Sequence, residues 1–122
     1  MRDIKFRIYD TQEKRYMYFD LLKNIDESKD YDLDYLDYRI RVYPEHIEQY
    51  TGLNDRNGKE IYEGDILEFM DAPGLGYGKA TVIWYTDRAS FFVENDDIDI
   101  FDYLFDIFDY SQIIGNIHED SK

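Results

Sequence analysis

Ile4-Lys5-Phe6-Arg7-Ile8 alternates apolar and basic side chains, the period of a half-buried strand with Ile4, Phe6 and Ile8 on one face. Asp10 to Lys14 reads as a turn, and Arg15-Tyr16-Met17-Tyr18-Phe19 as the returning strand of a hairpin. Residues 20 to 37 have no clean period, which leaves a loop or a short helix open. Tyr38-Arg39-Ile40-Arg41-Val42-Tyr43 alternates again and predicts a third strand, ended by Pro44.

From Tyr50 onward the pattern becomes denser. An Asn57-Gly58 turn separates Tyr50-Thr51-Gly52-Leu53 from Ile61-Tyr62, and Glu63-Gly64-Asp65 makes a second turn. Strands are expected at Ile66 to Met70, Lys79 to Tyr85 and Ser90 to Val93, linked by Pro73 to Gly78 and by Thr86-Asp87-Arg88. Asp99, Asp102, Asp106 and Asp109 are spaced three, four and three residues apart, so the segment Asp97 to Tyr110 is expected to be an amphipathic helix. Ile113 to Ile117 closes the series as a strand. The expected fold is mainly β, a β-rich α+β chain. It has an antiparallel meander closing into a small barrel-like sheet, an N-terminal hairpin and one short C-terminal acidic helix. A single domain over residues 1–122 is expected, with 1–48 the hairpin region carrying an acidic insert and 49–122 the barrel-like core plus helix.

Charge changes this picture more than size does. Lys and Arg number 14 against 28 Asp and Glu, a formal net charge of −14, yet 43% of residues are hydrophobic and 18% aromatic, so a folded globule is expected. Residues 20 to 38 hold seven acids and two lysines, and residues 94 to 109 hold seven acids and no Lys or Arg. Both segments interleave acids with large apolar groups, and Tyr supplies rigid contact area with a polar tip. They nominate Asp30, Tyr31, Asp32, Asp34, Tyr35, Asp37, Asp99, Asp102, Tyr103, Asp106 and Asp109 as protein-contact residues. The first 19 residues are mildly basic, and complementary ends of this kind favour self-association into a homo-oligomer.

The candidate chemistry is sparse. No cysteine is present, which excludes disulfides, thiolate metal sites and cysteine nucleophiles. The start of the chain has no apolar signal stretch and no run approaches about 18 apolar residues, so an intracellular, cytoplasmic location without membrane contact is expected. Gly74, Gly76 and Gly78 precede a strand rather than a helix, so they do not form a phosphate cradle. A calcium loop placed on Gly58 would put Leu53 and Gly64 where carboxylates are required. His46 and His118 fall in no hydrolase or metal spacing. Carboxylates are too many for any pair to indicate acid–base catalysis. Direct nucleic-acid binding lacks a basic footprint. Neither a cofactor nor a metal is expected.

The stretch Tyr50-Thr51-Gly52-Leu53, Asp55, Asn57-Gly58-Lys59-Glu60-Ile61-Tyr62 and Glu63-Gly64-Asp65-Ile66 resembles the central signature of the YopX family of bacteriophage and prophage proteins. Ile4-Lys5-Phe6-Arg7 with Asp10, and Ile114-Gly115-Asn116-Ile117, match that family's beginning and end in order, although Tyr9 stands where the family more often has Trp. The resemblance implies a small, mostly β protein of phage or prophage origin in the bacterial cytoplasm, a homo-oligomer, with no catalytic residues to carry over. Tyr50, Gly52, Asn57, Gly58, Tyr62, Glu63, Gly64 and Asp65 are expected to serve structure, the glycines by positive φ and Asp65 by bonding backbone amides. The function expected is a non-enzymatic accessory role through protein contacts, with itself or with a basic host or phage protein. The alternative is an acidic DNA mimic that occupies the groove of a host DNA-binding or defence protein.

Overall fold

The computed structural model describes residues 5–20, 24–25 and 33–119, in two compact units divided between Tyr50 and Thr51. The first unit opens with the expected hairpin, β1 (Lys5–Asp10) and β2 (Arg15–Asp20), paired antiparallel with Ile8 opposite Met17. A two-residue β3 (Asn24–Ile25) extends β2, and the first half of β4 (Ile47–Asn54) lies against the other side of β1. Ile8, Met17 and Leu36 are fully buried, and Phe19, Tyr35, Ile40 and Ile47 pack round them.

Leu36 reaches that core from a helix, α1 (Leu33–Val42), where residues 38 to 43 were expected to form a third strand. The buried face is Leu36, Arg39 and Ile40, the three- and four-residue spacing of a helix, while Asp34, Asp37, Tyr38 and Arg41 face solvent. Arginine on the buried face hides that period, because a charged residue at a core position reads as polar. Local terms also favour the helix. Asp34 lies in its first turn and Arg39 and Arg41 in its last, complementing the helix dipole, and Arg41 pairs with Asp37 four residues back at 3.0 Å. Pro44 follows the helix end.

The second unit is the expected meander. From the end of β4 the chain turns at Asn57-Gly58 into β5 (Glu60–Tyr62) and again into β6 (Asp65–Ala72). It then runs antiparallel through β7 (Gly76–Tyr85), β8 (Ser90–Asn95) and β9 (Ile100–Tyr103), and β10 (Ser111–Asn116) returns to pair with β6. The sheet order is β10-β6-β7-β8-β9, a half-barrel rather than a closed one. Its concave side holds Leu67, Phe69, Ala80, Val82, Val93, Ile100, Leu104 and Ile107.

β7 starts at Gly76, so Gly78 is a strand residue and not part of a loose connection. A Cβ built there would lie 2.9 Å from Ile100 Cδ1 and 3.1 Å from the Phe69 ring, so a larger residue would have to push these two side chains aside as β7 passes over them. Gly78→Ala is expected to cost about 1–3 kcal/mol by overpacking. Urea unfolding followed by the fluorescence of Trp84, the one tryptophan, measures this directly.

Candidate functional site

Charged and aromatic side chains are layered in the first unit. The buried Arg7 donates from Nε to Glu48 Oε1 at 2.8 Å across the β1–β4 ladder, and its guanidinium lies 3.9 Å from the Tyr16 ring centre. Arg39, 2% exposed, lies 4.3 Å from the Tyr43 ring centre and 5.9 Å from that of Tyr35. It donates to Thr11 and faces Asp10 at 3.7 Å. Burial pushes the Asp10 carboxyl up. The backbone amides of Glu13 and Gln12, the nearby Tyr35 hydroxyl and the Arg39 charge more than offset this and hold it below its ordinary range. Tyr35 is therefore tied into this cluster, Asp37 is occupied by Arg41, and Asp34 is exposed on the first turn of α1. Asp30, Tyr31 and Asp32 lie outside the described residues.

The glycine-rich signature frames the second unit. Gly52, Gly58 and Gly64 all take left-handed φ, near +85°. At Gly58 this closes the turn that Asp55 organises: Asp55 Oδ1 accepts from the Asn57 and Lys59 amides at 2.9 Å. Its Oδ2 accepts from the Ile113 amide of β10 at 3.0 Å. At Gly64 the amide donates to Val82 O, and the carbonyl accepts from the Ile117 amide. The buried Asp65 accepts from the Tyr62 amide at 2.8 Å, with Glu63 half-buried in the intervening turn. The ring of Tyr50, the last residue of the first unit, has the Lys5 ammonium 5.5 Å from its centre.

The C-terminal acidic helix is absent. Residues 96–98, 104–106 and 108–110 form separate 3-10 turns, and β9 occupies the space between the first two. Four aspartates on one helical face would repel one another at every turn, whereas β9 gains a ladder to β8 with Phe92 opposite Tyr103. Asp99 sits at a left-handed corner (φ +56°) and is exposed, as are Asp106 and Asp109 in their turns. Asp102 is half-buried on the opposite side of β9 from Phe101 and Tyr103, and it accepts from the Tyr103 amide. These carboxylates do not lie along one helix.

What the strands bring together instead is a ring cluster. Register places Ile83, Phe92 and Tyr103 side by side on the convex face of the half-barrel, with Tyr85 and Phe101 next to them. The Phe92 ring centre lies 4.9, 4.6 and 4.4 Å from those of Tyr85, Phe101 and Tyr103, and Tyr85 meets Phe101 edge-on at 4.9 Å. Phe92 is only 5% exposed although it points away from the main core, while Phe101 is 52% exposed. Glu94, the next residue on this face, stands between Thr81 and Phe101 and lines a groove of about 870 Å³ with Ile66, Asp96, Asp97, Asn116 and Glu119. Farther along, the Tyr77 hydroxyl donates to Glu68 at 2.8 Å, and this bond raises its pKa.

A family model described as YopX protein matches residues 5–122. The chain belongs to the YopX family. No curated protein matches it. In this YopX-family chain no helix among the described residues is long and apolar enough to cross a membrane. Among the same residues, no group of His, Asp and Glu side chains is placed to hold a metal ion. Tyr85, Phe92, Glu94 and Phe101 are not singled out by sequence reasoning, which takes Phe101 for a helical residue. The sequence carries half of the signal: the strand period of two puts Ile83 with Tyr85 and Phe92 with Glu94, whereas the pairing that sets these side by side with Phe101 is tertiary.

Proposed function

We propose that this YopX-family chain is a phage- or prophage-encoded accessory protein of the bacterial cytoplasm that works without catalysis, through protein–protein contact made by its second unit. The observation that carries the reading is the four-ring cluster on the convex face beside an acid-lined groove. Aromatic anchors ringed by charge are what contact surfaces use, the rings for burial and the charges for steering. Residues 51 to 122 hold 16 acids and 5 bases, a net charge of −11, so the partner is basic. The DNA-mimic alternative needs the acids of residues 97 to 110 and of residues 30 to 37 to form one face; residues 97 to 110 make turns and β9 in place of a helix carrying a row of aspartates, so the ring cluster favours the contact reading.

The test is capture from bacterial lysate on the immobilised full-length protein, beside a variant with Glu94→Gln, Asp96→Asn and Asp97→Asn. The wild type is expected to retain a basic protein at low salt, to release it at high salt, and to lose most of it in the neutralised variant. Equal retention by both forms, or no basic protein retained, would overturn the reading.

A further inference from the structure

The convex face of the half-barrel joins two features that suit one kind of occupant. At one end is the ring cluster, with Phe101 half-exposed and Tyr85 and Tyr103 half-buried around Phe92. At the other is the groove, whose charged lining among the described residues is Glu94, Asp96, Asp97 and Glu119 against Lys79. Glu94 belongs to both, since it lines the groove and stands opposite Phe101 in the β8–β9 ladder. Arg88 supplies a base at the ring end, where its Nη1 donates to the Tyr103 hydroxyl at 3.4 Å.

A flat aromatic surface bordered by carboxylates selects among cations. Guanidinium is planar and weakly hydrated, so it stacks on a ring while its edge donates to carboxylates, whereas ammonium is compact and holds its water. The first unit uses this same pairing twice, with Arg7 against Tyr16 and Arg39 against Tyr43. The groove volume falls in the range of recognition pockets and leaves room for an extended segment beyond the first side chain.

We propose that the convex face docks a basic, arginine-bearing protein segment, one guanidinium stacked on the Phe101 side of the ring cluster and the following residues laid along the acid-lined groove. The proposal rests on the protein-contact reading and adds the chemistry of the partner. A second copy seated face to face on this surface is a poor occupant, because two units of net charge −11 repel and the described residues of this face offer Lys79 and Arg88 in return.

The probes are an oligoarginine and an oligolysine peptide of equal length, titrated into the full-length protein at low salt by calorimetry and by NMR of the aromatic ring signals. The expected result is that oligoarginine binds about 5-fold more tightly and shifts the Phe101, Tyr103 and Tyr85 ring signals. Phe101→Leu, which keeps an apolar cover over Phe92, is expected to bring the two peptides to equal affinity. Phe101→Ser is expected to do the same if it folds, which the Trp84 emission reports. Equal binding of both peptides by the wild type, unaffected by Phe101→Leu, would overturn the proposal and leave a purely charge-driven contact. Failure of both peptides to bind would also overturn it. So would sedimentation showing a concentration-dependent oligomer that Phe101→Leu dissolves, since the face would then be covered by another copy. Lysate capture uses neither peptide and judges the contact reading separately.

Discussion

Asp55→Ala is expected to destabilise the second unit by about 3–4 kcal/mol and to lower its melting temperature by more than about 10 °C. One carboxylate, 5% exposed, accepts hydrogen bonds from three backbone amides, those of Asn57, Lys59 and Ile113. Two of these shape the turn after β4 and the third fastens β10, a strand 58 residues away in sequence. Removing the carboxylate takes the charged acceptor from three amide donors at once, and each donor left unpaired is costly, more so where its partner was charged. Asp55→Asn separates the contributions, because its amide oxygen replaces one acceptor but its NH2 group would face another donor. An intermediate loss is expected. Thermal unfolding read by Trp84 fluorescence, which reports the second unit, checks both variants; stability within about 0.5 kcal/mol of wild type would show that this carboxylate does not hold the turn.

Asp10→Ala is expected to cost the first unit about 3 kcal/mol. Asp10 is fully buried, its Oδ1 accepts from the Gln12 and Glu13 amides at the β1–β2 turn, and the buried Arg39 of α1 faces it at 3.7 Å. The substitution opens the turn and leaves a buried guanidinium without its counter-charge, which is the expensive way to break an ion pair. The same carboxylate sets a pH dependence. Its folded pKa lies below the ordinary 3.8, so the folded state binds protons more weakly than the unfolded chain. The stabilisation is therefore present above about pH 4 and is lost as pH falls through the lowered folded value. The protection factors of the Ile8 and Met17 amides, their intrinsic exchange rates at each pH divided by the observed ones, are expected to fall with acid in the wild type, and to do so less steeply in Asp10→Asn, which has no proton to gain there. Parallel acid profiles for the two proteins would remove Asp10 from the account.

The hairpin and the meander are legible in short stretches of the chain. Alternation in Ile4 to Ile8, the run rich in strand-forming residues at Lys79 to Tyr85, and turn residues at Asn57-Gly58 and Glu63-Gly64 are local signals, and both elements follow from them. Two other elements mislead, for opposite reasons. At residues 38 to 43 a buried arginine breaks the apolar stripe of α1, so a helix resembles a strand. At residues 97 to 110 the aspartate spacing mimics a helix, while the apolar residues serve β9 and the turns that bring Leu104 and Ile107 into the core.

The candidate site divides along the same line. That the chain is acidic, aromatic-rich, free of cysteine and built on a YopX signature can be read residue by residue, because charge, composition and turn chemistry reside in single side chains and their near neighbours. Which aromatics meet, and which acids stand beside them, follows only from the folded chain. The register of β7, β8 and β9 gathers Tyr85, Phe92, Phe101 and Tyr103 on one face, while Asp99, Asp102, Asp106 and Asp109 fall on β9 and the turns around it rather than on one helix. Register is fixed by backbone pairing between strands and by which face of the sheet buries its apolar side, neither of which is written in any short stretch of sequence.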